Sequence, residues 1–259
     1  LLNKLSGTIF LFFILLCSQS VFAQKWQFGV KGGLSLPNLS SAGGASDVSK
    51  GYKTISGPDF ALFADYKLSG KVSIETDMEW STQGGQKSGL QTIPASPDLS
   101  QYFPPGTQYL YGSFTSTVRL QYLMLPFMLK YNADLGRSGH WKFYVDGGVF
   151  GGLLMTAKAS ASGSSKVYLD KQETRPLGSF IVKFDSAGDI KNQLQKGNFG
   201  IEGNLGFIYQ MNSLSVFTEA GGNYGFIDLQ KNSLNGINHT GALIFRVGLM
   251  VNLKHGSEH

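Results

Sequence analysis

From Trp26 onward the chain takes apolar and polar residues in turn, at a period of two. That period belongs to strands with one apolar face, and no stretch keeps the 3.6-residue period of an amphipathic helix. Eight segments of about ten to fifteen residues stand out: Trp26–Leu36, Pro58–Leu68, Val72–Gln83, Thr117–Tyr131, Trp141–Thr156, Phe199–Tyr209, Leu214–Phe226 and Gly241–Leu253. In the third, Val72, Ile74, Thr76, Met78 and Trp80 share one face, and Lys71, Ser73, Glu75, Asp77 and Glu79 share the other. The first sets Trp26, Phe28, Val30, Leu34 and Leu36 against Lys25, Gln27, Gly29, Lys31 and Ser35. The second sets Phe60, Leu62, Ala64, Tyr66 and Leu68 against Asp59, Asp65 and Lys67. The eighth sets Leu243, Phe245, Val247, Leu249, Val251 and Leu253 against Arg246 and Asn252.

Alternation alone fits a soluble, lipocalin-like barrel as well as a membrane barrel. Four features favour the membrane. The polar faces carry Gly, Ser and Asn with few charges, where a soluble surface is dense in Lys and Glu. Aromatics gather near the strand ends (Trp26, Tyr66, Trp80, Tyr131, Trp141, Tyr209 and Tyr224), as in an interfacial girdle. Strands of ten or more residues match a tilted bilayer span. The connections run roughly 21, 3, 33, 9, 42, 4 and 14 residues, so long and short strictly alternate. Outer-membrane barrels join strands by long extracellular loops and short periplasmic turns. The expected fold is all-β: an eight-stranded antiparallel up-and-down transmembrane β-barrel with that loop pattern.

Composition agrees. Charged residues make up 15% of the 259, against about 25% in typical soluble domains, and 34 residues are glycine. Leu1 to Ala23 reads as a secretory signal, with Lys4, the apolar run Ile9–Leu16 and Val21-Phe22-Ala23 before the cut. The apolar run is too short for a spanning helix. Cys17 follows Leu16 rather than a small residue, which argues against lipidation. The expected division is a signal peptide over 1–23 and a barrel over 24–259. The barrel then holds no cysteine, and its formal charge is +4, one below the +5 of the chain, because Lys4 leaves. With no basic block, nothing points to nucleic acid.

Three stretches carry a resemblance: Gly29-Val30-Lys31-Gly32-Gly33-Leu34-Ser35, Phe60-Ala61-Leu62-Phe63-Ala64-Asp65-Tyr66-Lys67-Leu68, and Gln121-Tyr122-Leu123-Met124-Leu125-Pro126-Phe127-Met128-Leu129-Lys130-Tyr131. In this order they resemble the PorT-like outer-membrane β-barrel proteins of Bacteroidetes, over nearly the whole chain after Ala23. Members of that family tend to carry Tyr-Leu, an acidic residue, an aliphatic-Pro pair and a closing Lys-Tyr. Here Met124 stands at the acidic position, so any salt bridge made there in relatives is absent. The resemblance implies an eight-stranded barrel and no single activity; a few members serve protein secretion. Pro126 lies inside an expected strand, where it removes a ladder donor and implies a bulge or a bend.

Candidate chemistry is sparse. The histidines His140, His239, His255 and His259 show no metal-ligand spacing, so no metal or cofactor site is expected. His140 and His239, the only candidate general bases for a hydroxyl nucleophile, fall in a turn and a loop, and no catalytic set is expected. Gly147-Gly148 and Gly151-Gly152 precede no helix, which excludes a phosphate cradle. Glu75, Asp77 and Glu79 project at period two from one face. They read as a cation ladder, as paired acids, or as lumen lining that neutralises bases on other strands, and the lining reading is preferred. The same parity places Lys31, Asp65, Lys67, Lys130, Asp146, Glu202, Glu219 and Arg246 inside, giving seven acids and four bases. An eight-stranded barrel is only wide enough for side chains to fill. If Gly225 lies opposite Thr240, Glu219 falls opposite Arg246 on the inward face.

The long connections are the natural binding surfaces. One carries Pro94, Pro97, Pro104 and Pro105 with Tyr102, Phe103, Tyr109, Tyr111 and Phe114, which form a sticky surface or pack over the barrel mouth. Ala157–Asn198 holds seven bases and four acids, a charge that suits lipopolysaccharide or belongs to a solvated loop. Within it, Ile181–Phe184 is expected to extend the barrel as a hairpin arm. The functional expectation is a monomeric, non-enzymatic outer-membrane barrel with a structural or partner-binding role. Its expected surroundings are outer-membrane lipid, lipopolysaccharide and an envelope protein met through the loops, in secretion or envelope assembly. A narrow conduit for ions or small solutes is the alternative, and a lipid-modifying enzyme comes after it.

Overall fold

The structure, a computed structural model, describes residues 25–41, 48–95, 103–136, 139–232 and 236–252. The segment read as a secretory signal, together with Pro97, Tyr102, Leu253, His255 and His259, lies outside them.

Eight long strands follow one another: β1 (Trp26–Ser40), β2 (Gly57–Lys67), β3 (Val72–Pro94), β4 (Tyr109–Leu135), β5 (Trp141–Ser162), β6 (Gly197–Gln210), β7 (Leu214–Gly225) and β8 (His239–Asn252). Each pairs antiparallel with the next, and β1 pairs with β8 from Gln27↔Asn252 to Ser40↔His239, which closes the ring. Closure leaves no edge strand within the barrel wall. The three short connections, residues 68–71, 136–140 and 211–213, lie at one end. The four long ones, residues 41–56, 95–108, 163–196 and 226–238, lie at the other. The tight turns close on themselves, with Leu68 N–H donating to Val72 O (2.9 Å) and Met211 N–H to Leu214 O (2.9 Å).

Burial is inverted relative to a soluble protein. Phe28, Val30, Leu62, Phe127, Leu129, Val149, Ile201, Phe207, Phe245 and Val247 face outward and are exposed. Lys31, Asp65, Glu75, Glu79, Lys130, Glu202 and Arg246 are buried inside. Period two puts each set on its own face. Aromatic rings flank the apolar band: Trp26 with Tyr66 (5.0 Å between centroids) and Trp141 with Tyr209 (4.9 Å) at the turn end, Phe60 with Trp80 (6.4 Å) and Tyr224 with Phe226 (5.8 Å) toward the loop end. The strand faces and ring order follow the sequence expectation.

Strand length departs from it. β3 runs past Gln83 to Pro94, β4 begins at Tyr109 rather than Thr117, and β5 continues past Thr156 to Ser162. These extensions leave the apolar band, so no lipid-facing stripe marks them; Gly84, Gly85, Gln86, Lys87 and Ser88 show no alternation of polarity. The β3–β4 ladder nevertheless continues to Pro94↔Tyr109. Gly84 sits at φ +134°, and a Cβ there would lie 2.1 Å from the Val118 carbonyl, so the close approach requires glycine.

The arm standing beyond the barrel is therefore made by β3, β4 and β5. Short pairings add to it: Ser186–Asp189 along β5, and Val167–Tyr168 along β4. Val182–Lys183, expected to extend the barrel strands, instead pairs with Ser164–Ser165 in a separate small sheet. Pro126 coincides with a lapse in the ladder. Pairing with β3 skips Asp77 and Met78, although the register on either side is the same, and Thr76 Oγ1 donates to Pro126 O (3.1 Å). The bulge itself lies elsewhere, where β4 shifts register against β5 between Gln121 and Tyr122.

Candidate functional site in the barrel lumen

Inward parity on adjacent strands brings the ionisable side chains into one layer. Arg246 of β8 is its hub. Its Nε lies 2.5 Å from Asp59 Oδ1, its Nη2 lies 2.8 Å from Glu79 Oε2, and its Nη1 lies 3.2 Å from Glu202 Oε1 and 3.0 Å from Glu219 Oε1. Glu219 and Arg246 are direct cross-strand partners in the β7–β8 register. The pair is thus one arm of a four-carboxylate cluster rather than an isolated couple.

Lys31 of β1 forms a second node, 2.9 Å from Glu75, 2.7 Å from Asp77 and 3.4 Å from Glu219. Lys130 of β4 bonds Glu75 and lies 3.7 Å from Asp65. Asp146 enters through Asn204, whose amide donates to it (3.0 Å) and to Glu202 (3.3 Å). Each acid of the Glu75, Asp77 and Glu79 ladder therefore meets a base from another strand. Lys67 lies half-buried at the turn-end mouth beside Gln27 and Lys142, where its charge acts on Asp65.

Three kinds of residue join the lumen set expected from the sequence. Asp59 shares the parity of Asp65, but it stands at the start of β2, beyond the charges assigned to the lumen. Ser81 Oγ donates to its carboxylate (2.6 Å) in addition to the Arg246 contact. Tyr144 carries the parity of Asp146, and its hydroxyl donates to Glu219 (2.6 Å). Phe63 and Phe217 meet edge to face inside the barrel, with centroids 5.6 Å apart. Apolar residues on a polar face go unnoticed when only charges are tracked.

Apolar packing flanks the charge layer on both sides. Toward the turns, Phe63, Tyr144, Ile208, Phe217 and Met250 form a buried cluster. Toward the loops comes an amide and hydroxyl zone, with Gln83 donating to Asn223 (3.3 Å) and Asn198 to Thr240 (2.8 Å). Above it lies an apolar cap of Leu39, Leu120, Tyr122, Met124, Phe150, Leu154 and Ala157 from the strands. Leu194 and Leu229 from two long loops complete it, with Tyr52 and Ile190 packed against them. The loop residues thus plug the mouth from above.

Outside the lumen the chemistry is modest. His140 Nδ1 lies 3.1 Å from Gln210 O, and His239 Nδ1 lies 3.3 Å from the Tyr224 hydroxyl. Among the described residues no group of His, Cys, Asp or Glu is arranged to hold a metal ion. In the longest loop Asp170 accepts bonds from the Thr174 hydroxyl (2.6 Å) and from the N–H groups of Thr174 (3.1 Å) and Arg175 (2.7 Å). These bonds, the Thr174 hydroxyl first, hold its carboxyl below the usual range.

Comparison with known proteins places this architecture. The model of the family described as outer membrane protein beta-barrel domain matches residues 22–254. No curated protein matches the chain. Among solved structures, Neisserial surface protein A is 14% identical, with a TM-score of 0.39 over 87% of this chain and 96% of that one. OprG from Pseudomonas aeruginosa is 14% identical, with a TM-score of 0.39 over 88% and 96%. Ail, the attachment invasion locus protein of Yersinia pestis, is 10% identical, with a TM-score of 0.37 over 87% and 99%.

Proposed function

The chain belongs to the outer membrane protein beta-barrel domain family, and on that premise we propose that this outer-membrane barrel is a non-enzymatic structural or partner-binding component of the envelope. The observation that carries the reading is the filled lumen: a charge layer closed by apolar packing at both ends. An eight-stranded tube filled this way leaves little room for a water path among its described side chains, which argues against the narrow conduit. What the protein offers its surroundings is then its outer surface and the extracellular arm of β3, β4 and β5. The PorT-like resemblance makes secretion or envelope assembly the setting, with a monomer meeting an envelope protein through its loops and lipopolysaccharide around it.

Two measurements test this. Purified protein in planar bilayers is expected to give no steady conductance; stepwise channel events would overturn the reading in favour of a conduit. Crosslinking in intact cells followed by mass spectrometry is expected to recover an envelope protein attached at the long loops. Lipid A of altered mass in cells carrying the gene, compared with cells lacking it, would replace the reading with a lipid-modifying enzyme.

A further inference from the structure

On the outer face of the extracellular arm two cations stand directly opposite each other. Arg119 of β4 pairs with Lys158 of β5. Their neighbours Leu120 and Ala157, also a direct pair, are fully buried in the cap, so alternation turns Arg119 and Lys158 outward. Like charges facing across an antiparallel pair are unfavourable unless something negative lies between them. Neither makes an ion pair among the described residues. Arg119 Nη1 donates to the neutral Ser56 carbonyl (2.9 Å), leaving the rest of its fork unused. Asp189, aligned with Lys158 on the adjoining short strand, lines the same cavity as the two cations; its carboxylate accepts the Lys191 N–H at 2.7 Å, and against the two cations it leaves the site with a net charge of one positive.

The next outward pair, Thr117↔Ser160, places two hydroxyls beside the two cations. Thr117 Oγ1 accepts a bond from Gln86 (3.1 Å), so its own proton is free to point outward. Arg119, Lys158, Thr117 and Ser160 all line one open cavity of about 450 Å³. A two-by-two grid of guanidinium, ammonium and two hydroxyls matches the several oxygens and the negative charge of a phosphate monoester.

Height selects the source of that phosphate. On the same strands Leu123 and Leu153 are a direct outward pair, and Trp80 of the upper aromatic ring is level with Leu123. Arg119 lies four residues farther from the membrane than Leu123. At about 3.4 Å per residue and a strand tilt near 40°, that is roughly 10 Å above the apolar band. The headgroup layer is about 5–8 Å deep, within reach of side chains as long as those of Arg119 and Lys158 from that height. We propose that Arg119, Lys158, Thr117 and Ser160 form a binding site for the phosphate monoester of an outer-leaflet lipid.

The test is native mass spectrometry of detergent-folded protein titrated with phosphatidic acid, phosphatidylcholine or inorganic phosphate. The parent is expected to retain one phosphatidic acid at concentrations where phosphatidylcholine is not retained. Arg119→Gln with Lys158→Gln is expected to weaken that binding at least ~10-fold, as loss of two charge-assisted contacts implies. A loop control of equal charge loss, Lys166→Gln with Lys183→Gln, is expected to change it less than ~2-fold, because those lysines lie outside the grid. Folding is followed by the heat-dependent gel shift of barrels. If the double variant fails to fold, the exposed Lys158→Gln alone is expected to weaken binding about threefold, as one of two cations is lost. Equal weakening by the control pair, unchanged binding in the site variants, or retention of inorganic phosphate without the lipid would each overturn the proposal.

Discussion

The charge layer and the apolar cap fill the same tube with opposite chemistry. Around Lys31, Lys130 and Arg246 every contact comes from barrel strands, each side chain aimed by strand parity. In the cap, by contrast, strand residues such as Leu120 and Phe150 are joined by Leu194 and Leu229 from loops. The charge layer therefore specifies the ring itself, because each base ties together acids from several strands. The cap specifies how the long loops dock once the ring exists. The two should differ in how they fail: removing a base from the layer should threaten the barrel, whereas hollowing the cap should loosen its mouth.

Arg246→Leu tests the first half and should have the largest effect. It strands Asp59, Glu79, Glu202 and Glu219 without their shared cation, and breaking a buried pair costs about 3–5 kcal/mol even for a single partner. The expected outcome is little or no heat-shifted, folded species in detergent. Adding Glu219→Leu should restore only part of the loss, since three carboxylates still face the missing guanidinium. Complete rescue by the second change would reduce the hub to a simple pair.

Leu120→Ala tests the second half. Leu120 is fully buried in the cap, and truncating such a residue costs about 2–5 kcal/mol. Chemical denaturation should show the loss, and limited proteolysis should show faster cutting within residues 163–196. Unchanged loop cleavage would mean that the cap does not hold the loops. Val247→Arg probes the wall rather than its filling. Val247 is 62% exposed on the outer face, and a charge near the bilayer midplane costs about 2–4 kcal/mol. Folding into bilayers as efficient as that of the parent would contradict the lipid-facing assignment.

The contrast also explains what is legible in the sequence. The ring, the faces and the Glu219–Arg246 register can be read because lipid outside and filling inside impose a strict period of two. Nothing imposes that period beyond the membrane, where no lipid lies against the outer face of β3, β4 and β5 and the inner face buries polar residues such as Lys87 and Gln91, so their extensions look like loops. The cap is hidden for a related reason. Leu194 and Leu229 are two among several apolar residues of the long loops, such as Ile181 and Ile227, and only the closed ring reveals which of them it covers. Asp59 is legible in principle, since it stands six residues before Asp65 on the same strand and therefore points to the same side.

Two irregularities of β4 mark the two layers, and the smaller effect separates them. The bulge at Gln121/Tyr122 lies beside the cap, whereas Pro126 lies beside the charge layer, opposite Asp77 in the flanking register. Proline offers no N–H, and the ladder lapses there at Asp77 and Met78. Pro126→Ala supplies a donor, worth about 0.5–1.5 kcal/mol if the bond forms. It also gives the unfolded chain more freedom, which costs about 0.4–1 kcal/mol. The two nearly cancel, so stability should change by less than about 1 kcal/mol, while hydrogen exchange at the amide introduced by the substitution should be slow. A fast-exchanging amide there would show that the lapse is set by Lys31 drawing Asp77 inward (2.7 Å) rather than by the proline. The charge layer would then shape the wall around it, as well as being positioned by it.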